Sequence, residues 1–178
     1  MMTAADHPLI VKSICWDTES ATQATALWLA QQPLLRDALV TLHGDLGAGK
    51  TTFARYLLTA LGVTGRIKSP TYAVMEAYVV TQSALPAQNQ QLNIWHCDFY
   101  RFNDPDEWED AGFRDLFAAP GLKLVEWPDK AEGLLPPADL RMNLDTLADE
   151  QRELRLSAAT PQGQRWLGAL QSTAKEPA

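Results

Sequence analysis

Hydrophobic and polar positions divide the chain into short apolar runs alternating with longer stretches of helical period. Residues 9–16 alternate loosely and predict a strand. Asp17, Thr18, Glu19 and Ser20 supply helix-start chemistry, with Ser20 and Gln23 in capping-box spacing. Residues 21–32 predict a first helix with Ala24, Leu27, Trp28 and Gln31 on one side, and Pro33 follows its end. Residues 39–42 form a compact β-type run. Residues 52–61 are helical, and Gly62 suits the end of that helix. Pro70 disfavours helix at Ser69, so residues 68–72 predict an extended piece. Residues 72–80 and 92–97 read as strands joined by the polar stretch 81–91, a hairpin connection. Asp104 and Pro105 open a short acidic helix to Ala111, and residues 113–117 add a helical turn. Residues 122–127 are a buried-type strand closed by Pro128, and 133–137 a turn. Residues 140–144 and 153–158 predict a late antiparallel pair, and 161–170 a terminal helix.

Strands separated by helices argue an α/β fold, and the late pair argues a mixed, mainly parallel central sheet with late antiparallel strands. No linker splits the chain. All 178 residues are expected to form a single domain, with residues 1–8 and 172–178 flexible.

Between the strand ending at His43 and the helix after it lies Gly44-Asp45-Leu46-Gly47-Ala48-Gly49-Lys50-Thr51, followed by Thr52. This fits G-x-x-x-x-G-K-[ST], the phosphate-binding P-loop, in the strand-to-helix context the motif requires. Glycines let the backbone turn tightly and approach a ligand. Successive N–H groups then cradle phosphate oxygens, and the helix N-terminus adds its dipole. Lys50 suits β/γ-phosphate charge, and the Thr51 hydroxyl suits Mg²⁺. The loop predicts a single P-loop NTPase domain that binds nucleotide, and no particular reaction.

The formal net charge of −7 argues against unaided binding to a nucleic-acid backbone. Two cysteines, Cys15 and Cys97, make neither a disulfide framework nor a metal spacing, which fits a reducing, cytoplasmic setting. Residues 1–8 lack the basic and apolar regions of a secretory signal, and no run approaches the roughly 18 apolar residues of a membrane span. A soluble monomer is expected for the free protein.

Three further groups carry candidate chemistry. Asp98 ends an apolar strand, where a carboxylate can sit near the phosphates or cap a turn. Glu126 ends a buried-type strand, a place for a Mg²⁺-side carboxylate or for an edge-strand ion pair. Ser69 and Thr71 are hydroxyls on a stiff loop, by themselves no more than a turn. His96 reads as a hydrogen-bonded strand histidine, and His43 as support for the loop. The six tryptophans are dispersed and read as core and partner-surface residues, not a stacking platform.

Taken together, residues 44–52, Lys-Ser-Pro-Thr-Tyr (68–72), His-Cys-Asp-Phe-Tyr-Arg (96–101), the acidic stretch 104–107 and Val-Glu-Trp-Pro (125–128) resemble the TsaE family, formerly YjeE. Order and spacing match from about residue 38 to 137. Cys97 replaces a bulkier apolar residue, and the stretch 81–91 is longer than the family pattern. The resemblance implies a bacterial cytoplasmic ATPase that uses ATP/ADP and Mg²⁺. Its role would be formation of N6-threonylcarbamoyladenosine (t6A) at position 37 of tRNA. It implies a TsaB–TsaD heterodimer as protein partner, with tRNA met only through the complex. By the same resemblance Lys50 and the loop amides hold phosphates, and Thr51 and Glu126 bind Mg²⁺. Asp98 is then a functional acid that orients water or the metal's shell, Ser69 and Thr71 belong to a nucleotide-sensing segment, and Glu19, Thr22 and Arg152 contact adenine.

Two other classes fit a P-loop. A small-molecule kinase needs an arginine-bearing lid, whereas Arg114, Arg141 and Arg152 are scattered. A nucleotide-controlled assembly module needs no significant turnover. A GTPase is disfavoured: no Asn-Lys-x-Asp is present, and the nearest string, Asn143-Leu144-Asp145, lacks the lysine.

Overall fold

The computed structural model describes residues 12–82, 90–104 and 106–173. The strands are β1 (Lys12–Trp16), β2 (Leu39–His43), β3 (Met75–Gln82), β4 (Gln90–Asp98), β5 (Leu122–Glu126), β6 (Leu140–Thr146) and β7 (Arg152–Ser157). The helices are α1 (Glu19–Ala30), α2 (Lys50–Ala60), α3 (Asp106–Asp110), α4 (Phe113–Ala118) and α5 (Pro161–Thr173). Short 3₁₀ turns lie at Pro33–Asp37, Pro128–Ala131 and Ala148–Glu150.

Among the described residues the strands form one sheet in the order β1-β7-β6-β2-β5-β4-β3. The three central pairings, β6 with β2, β2 with β5 and β5 with β4, are parallel. Antiparallel pairs β6–β7, β1–β7 and β3–β4 flank them. The expected late pair is therefore β6–β7, and parallel character is confined to the centre. The hairpin β3–β4 runs in register from Met75 opposite Cys97 to Gln82 opposite Gln90. The middle of its expected connection, 83–89, lies outside the described residues, as do Pro105 and the expected loose ends 1–8 and 174–178. Residues 172–173 continue α5.

The central strands are covered on both faces, as parallel strands require. Side chains alternate along each strand. Val40 and Leu42 of β2 join Leu124 and Ile94 in a core with Phe53, Leu57 and Leu58 of α2. Leu39, Val125 and Cys97 point the other way, into a core with Phe99, Trp108 and Phe113. Aromatic edges fill that second layer: Phe113 meets Phe99 nearly perpendicular at 5.4 Å.

Local signals explain most boundaries. In α2, Gly62 takes φ 105°. Val63 N–H then donates to Leu58 C=O and Gly62 N–H to Thr59 C=O, both at 3.0 Å. This is a Schellman closure that satisfies the last carbonyls. The cap of α1 differs from the expected one: Thr18, not Ser20, accepts from Ala21 N–H at 3.2 Å. Its buried face is Thr22, Ala26 and Leu29, whereas Leu27 is half exposed. The expected extended piece 68–72 is instead interrupted by a turn at residues 70–73, closed by Val74 N–H to Pro70 C=O at 2.6 Å, so β3 starts at Met75.

Candidate functional site

Because β2, β5 and β4 run parallel and adjacent, their C-terminal ends reach the same edge of the sheet. That edge is the usual ligand-binding side of such sheets. From β2 the loop of residues 44–49 leads into α2, β5 delivers Glu126, and β4 delivers Asp98, paired in register with Glu126.

The loop conformation explains its glycines. Gly49 adopts φ 103° and leads into α2 with no side-chain cap. The first-turn N–H groups, which lack intrahelical acceptors, thereby receive no bond from the capping residue's side chain. Gly44 adopts φ 139°, and a Cβ there would lie 2.3 Å from the Leu144 carbonyl oxygen and 3.1 Å from Ala48 Cβ. Gly44→Ala is expected to lower stability by about 2–4 kcal/mol, from backbone strain plus a clash against immobile backbone. Urea unfolding checks this; an unchanged midpoint would mean β6 yields easily.

Lys50 is 4% exposed. Its ammonium donates to Gly44 C=O at 2.5 Å and Asp45 C=O at 2.8 Å, and lies 3.9 Å from the Trp127 ring centroid. Burial lowers its pKa, while Glu126, Asp98 and Asp45 oppose that shift. The lysine thus sits within the field of both strand-end acids.

Glu126 is 1% exposed and lies on a central strand, not an edge. Thr51 Oγ1 donates to its Oε2 at 2.7 Å, and His96 Nε2 contacts its Oε1 at 2.8 Å. Asp98 is also buried. Its Oδ1 accepts from Tyr100 N–H at 2.9 Å, which is a turn-capping bond, and its Oδ2 accepts from Thr71 Oγ1 at 2.7 Å. Ser69 Oγ lies 2.7 Å from Thr71 Oγ1 and 3.4 Å from Asp98 Oδ2. The turn-capping reading of Asp98 is thus realised through Oδ1, while Oδ2 is held by the Thr71 hydroxyl. His96 partners Glu126, not its strand neighbour Asp98.

Cys97, between them in sequence, faces the opposite core, and burial pushes its thiol up to about 12. His43 bridges Thr41 at 3.0 Å and Asp129 at 3.3 Å, tying β2 to the turn after Trp127. Burial, and secondly Arg141, lower its pKa.

The expected adenine contacts come together. Glu19, Thr22 and Arg152 line a cavity of about 460 Å³ with Trp16, Asp149 and the loop residues Gly47, Ala48, Gly49 and Thr52. A second cavity of about 180 Å³, formed by Leu46, Lys50, Thr51, Glu126 and Trp127, shares Gly47, Gly49 and Thr52 with it. Asp45 contributes its carbonyl to Lys50. Ser69 and Thr71 line neither cavity and reach the site through Asp98.

Sequence reasoning missed the backbone strain. Three non-glycine residues among those described have positive φ: Val74 (65°), Trp127 (55°) and Asp149 (60°). Val74 C=O accepts from Asp98 N–H, Trp127 covers Lys50, and Asp149 lines the larger cavity. Strain of this kind collects at functional sites. No composition signal marks Val74 or Trp127, whose types disfavour the left-handed region; Asp149 is of a type that visits it more readily.

Comparison with known proteins adds a family. The model described as threonylcarbamoyl adenosine biosynthesis protein TsaE matches residues 16–154. A tRNA threonylcarbamoyladenosine biosynthesis protein TsaE of Haemophilus influenzae is 40% identical over 131 residues, covering 74% of this chain and 77% of that one. The protein of the same description from Bacillus subtilis is 32% identical over 149 residues, covering 83% and 87%. The crystal structure of Bacillus subtilis YdiB superposes with a TM-score of 0.68 at 27% identity, covering 94% of this chain and 98% of that one.

Proposed function

The chain belongs to the TsaE family, and from that membership we propose that it is the Mg²⁺-dependent ATP-binding and ATP-hydrolysing component of t6A formation on tRNA. It acts in the cytoplasm with a TsaB–TsaD heterodimer and is not itself the threonylcarbamoyl transferase. The observation that carries the reading is the Thr51–Glu126 contact of 2.7 Å between the first turn of α2 and the end of β5, beside the Lys50 ammonium and next to Gly47 and Gly49, which two cavities share. The smaller cavity suits the β/γ-phosphates and the larger one the nucleoside.

Mg²⁺ prefers a few protein oxygens and keeps several waters. A hydroxyl and a buried carboxylate 2.7 Å apart fit that preference. Thr51 and Glu126 would hold the ion. When bound, it supplies charge neutralisation of the phosphate oxygens. The chain's own residues do the rest. Loop amides and Lys50 bind phosphate, and Trp127 shields the ammonium from water. Asp98, fixed by Thr71 and by Tyr100 N–H, accepts a hydrogen bond from the attacking water and aligns it. Through Thr71, the segment 69–74 follows any movement of that acid. The net charge of −7 leaves tRNA contact to the partner.

Phosphate release measured with and without TsaB–TsaD tests this. Turnover should be slow alone and rise on addition of the pair, since an arginine supplied in trans is worth roughly 10³–10⁵ in rate. Transfer to a small acceptor without phosphate release would favour a kinase. Nucleotide-dependent association without turnover would favour an assembly module. Indifference of both rate and complex mass to the pair would defeat the proposal.

A further inference from the structure

We infer that His96 is a positioning residue: it fixes Glu126 through Oε1 so that Oε2 stays turned toward Thr51 and the metal side of the nucleotide. The inference rests on the Mg²⁺–nucleotide reading of the site.

His96 is fully buried, two residues before Asp98 on β4. Its Nε2 contacts Glu126 Oε1 at 2.8 Å. A carboxylate oxygen only accepts, so Nε2 carries the hydrogen of this bond. The other ring nitrogen, Nδ1, is buried and has no hydrogen-bond partner among the described residues. A side chain serving only to fill space would be apolar and leave no unmatched nitrogen. What the imidazole gains at this position is the bond to Glu126.

That bond has a geometric consequence. With Oε1 engaged by His96 and Oε2 by Thr51, the carboxylate cannot rotate without breaking one contact. It therefore presents one oxygen, beside the Thr51 hydroxyl. Mg²⁺ demands near-ideal octahedral geometry and is sensitive to such preorganisation. Asp98, the neighbouring carboxylate, is held by Thr71 and Tyr100 and is not part of this arrangement.

Calorimetric titration of the full-length protein with ADP, in EDTA and in MgCl₂, reads the effect as the ratio of the two affinities. His96→Asn, whose amide is too short to reach Oε1, should lower that ratio roughly 10–100-fold and leave metal-free affinity within about twofold. His96→Gln should restore most of it, because its longer amide can donate to Oε1. In a Glu126→Gln background, His96→Asn should add no further loss. Retention of the wild-type ratio by His96→Asn, or an equal loss in both backgrounds, overturns the inference while the site reading stands. A wild-type ratio of one removes the site reading and this inference with it. If His96→Asn does not fold, nitrogen-15 spectra of the wild-type imidazole decide. Its Nε2–H resonance should shift when Mg²⁺ joins bound ADP, and an unmoved resonance overturns the inference.

Discussion

Lys50→Ala should lower metal-free ADP affinity on the order of 100-fold, about 2.8 kcal/mol at 1.4 kcal/mol per decade. The size follows from what surrounds the ammonium. Glu126 and Asp98 are 1% and 3% exposed, and both raise the lysine's pKa against the lowering effect of burial. Without Lys50 an incoming phosphate faces two buried acids with this cation removed. A pair of unit charges about 4 Å apart is worth roughly 4 kcal/mol at an effective dielectric of 20. Water admitted to the vacated space recovers part of that. Lys50→Arg keeps the charge but not the compact head that sits on Gly44 and Asp45 C=O beneath Trp127, so it should restore little. Titration with ADP in EDTA measures both variants. A loss smaller than about threefold in Lys50→Ala would remove Lys50 from the phosphate site.

The parts legible in the sequence were those whose signal is local. Glycines at 44, 47 and 49 between an apolar run and a helix encode a loop with positive φ at each of them. Gly62 encodes a helix end because its own backbone makes the closure. The face of α1 was not legible. Its Ala, Thr, Gln and Leu positions carry little amphipathic contrast, so packing decides: Thr22, Ala26 and Leu29 turn inward, and Trp28 stacks on Trp166 of α5 at 6.4 Å. The limits of parallel pairing were also hidden, because a β-branched or apolar strand reads alike in either direction. For the site, the carboxylates could be placed at strand ends, but not their partners. His96 reaches Glu126 across 30 residues, and Thr71 reaches Asp98 across 27. No spacing rule covers contacts made by strand register, as for His96, or by a turn folded back on a strand end, as for Thr71.

Asp98 and Glu126, adjacent at the ends of β4 and β5, should separate cleanly by role. In Asp98→Asn the amide oxygen can keep the bond from Tyr100 N–H, and the NH₂ can donate to Thr71 Oγ1, whose hydroxyl turns toward Ser69. The backbone and the phosphate loop are thus undisturbed, and nucleotide and Mg²⁺ binding should stay near wild type. On the proposed role, what is lost is an acceptor for the water's proton. Partner-stimulated phosphate release should fall on the order of 10²-fold or more, the usual worth of a positioned acid or base. Glu126→Gln meets a different conflict. Both of its oxygens accept, from Thr51 and from His96, and an amide has only one acceptor oxygen. Either the NH₂ faces His96, whose hydrogen must then move to the unpartnered Nδ1, or it faces Thr51, whose hydroxyl turns to accept from it, and in both cases the metal side loses the carboxylate charge. Apparent Mg²⁺ affinity in the presence of ADP should therefore drop by roughly 10–100-fold or more. Trp127 follows Glu126 directly and its ring lies over Lys50, so its fluorescence follows the titration. Loss of metal affinity in Asp98→Asn with retention in Glu126→Gln would exchange the two roles. If neither substitution altered binding or turnover, Asp98 would be a turn cap and Glu126 the histidine's structural partner.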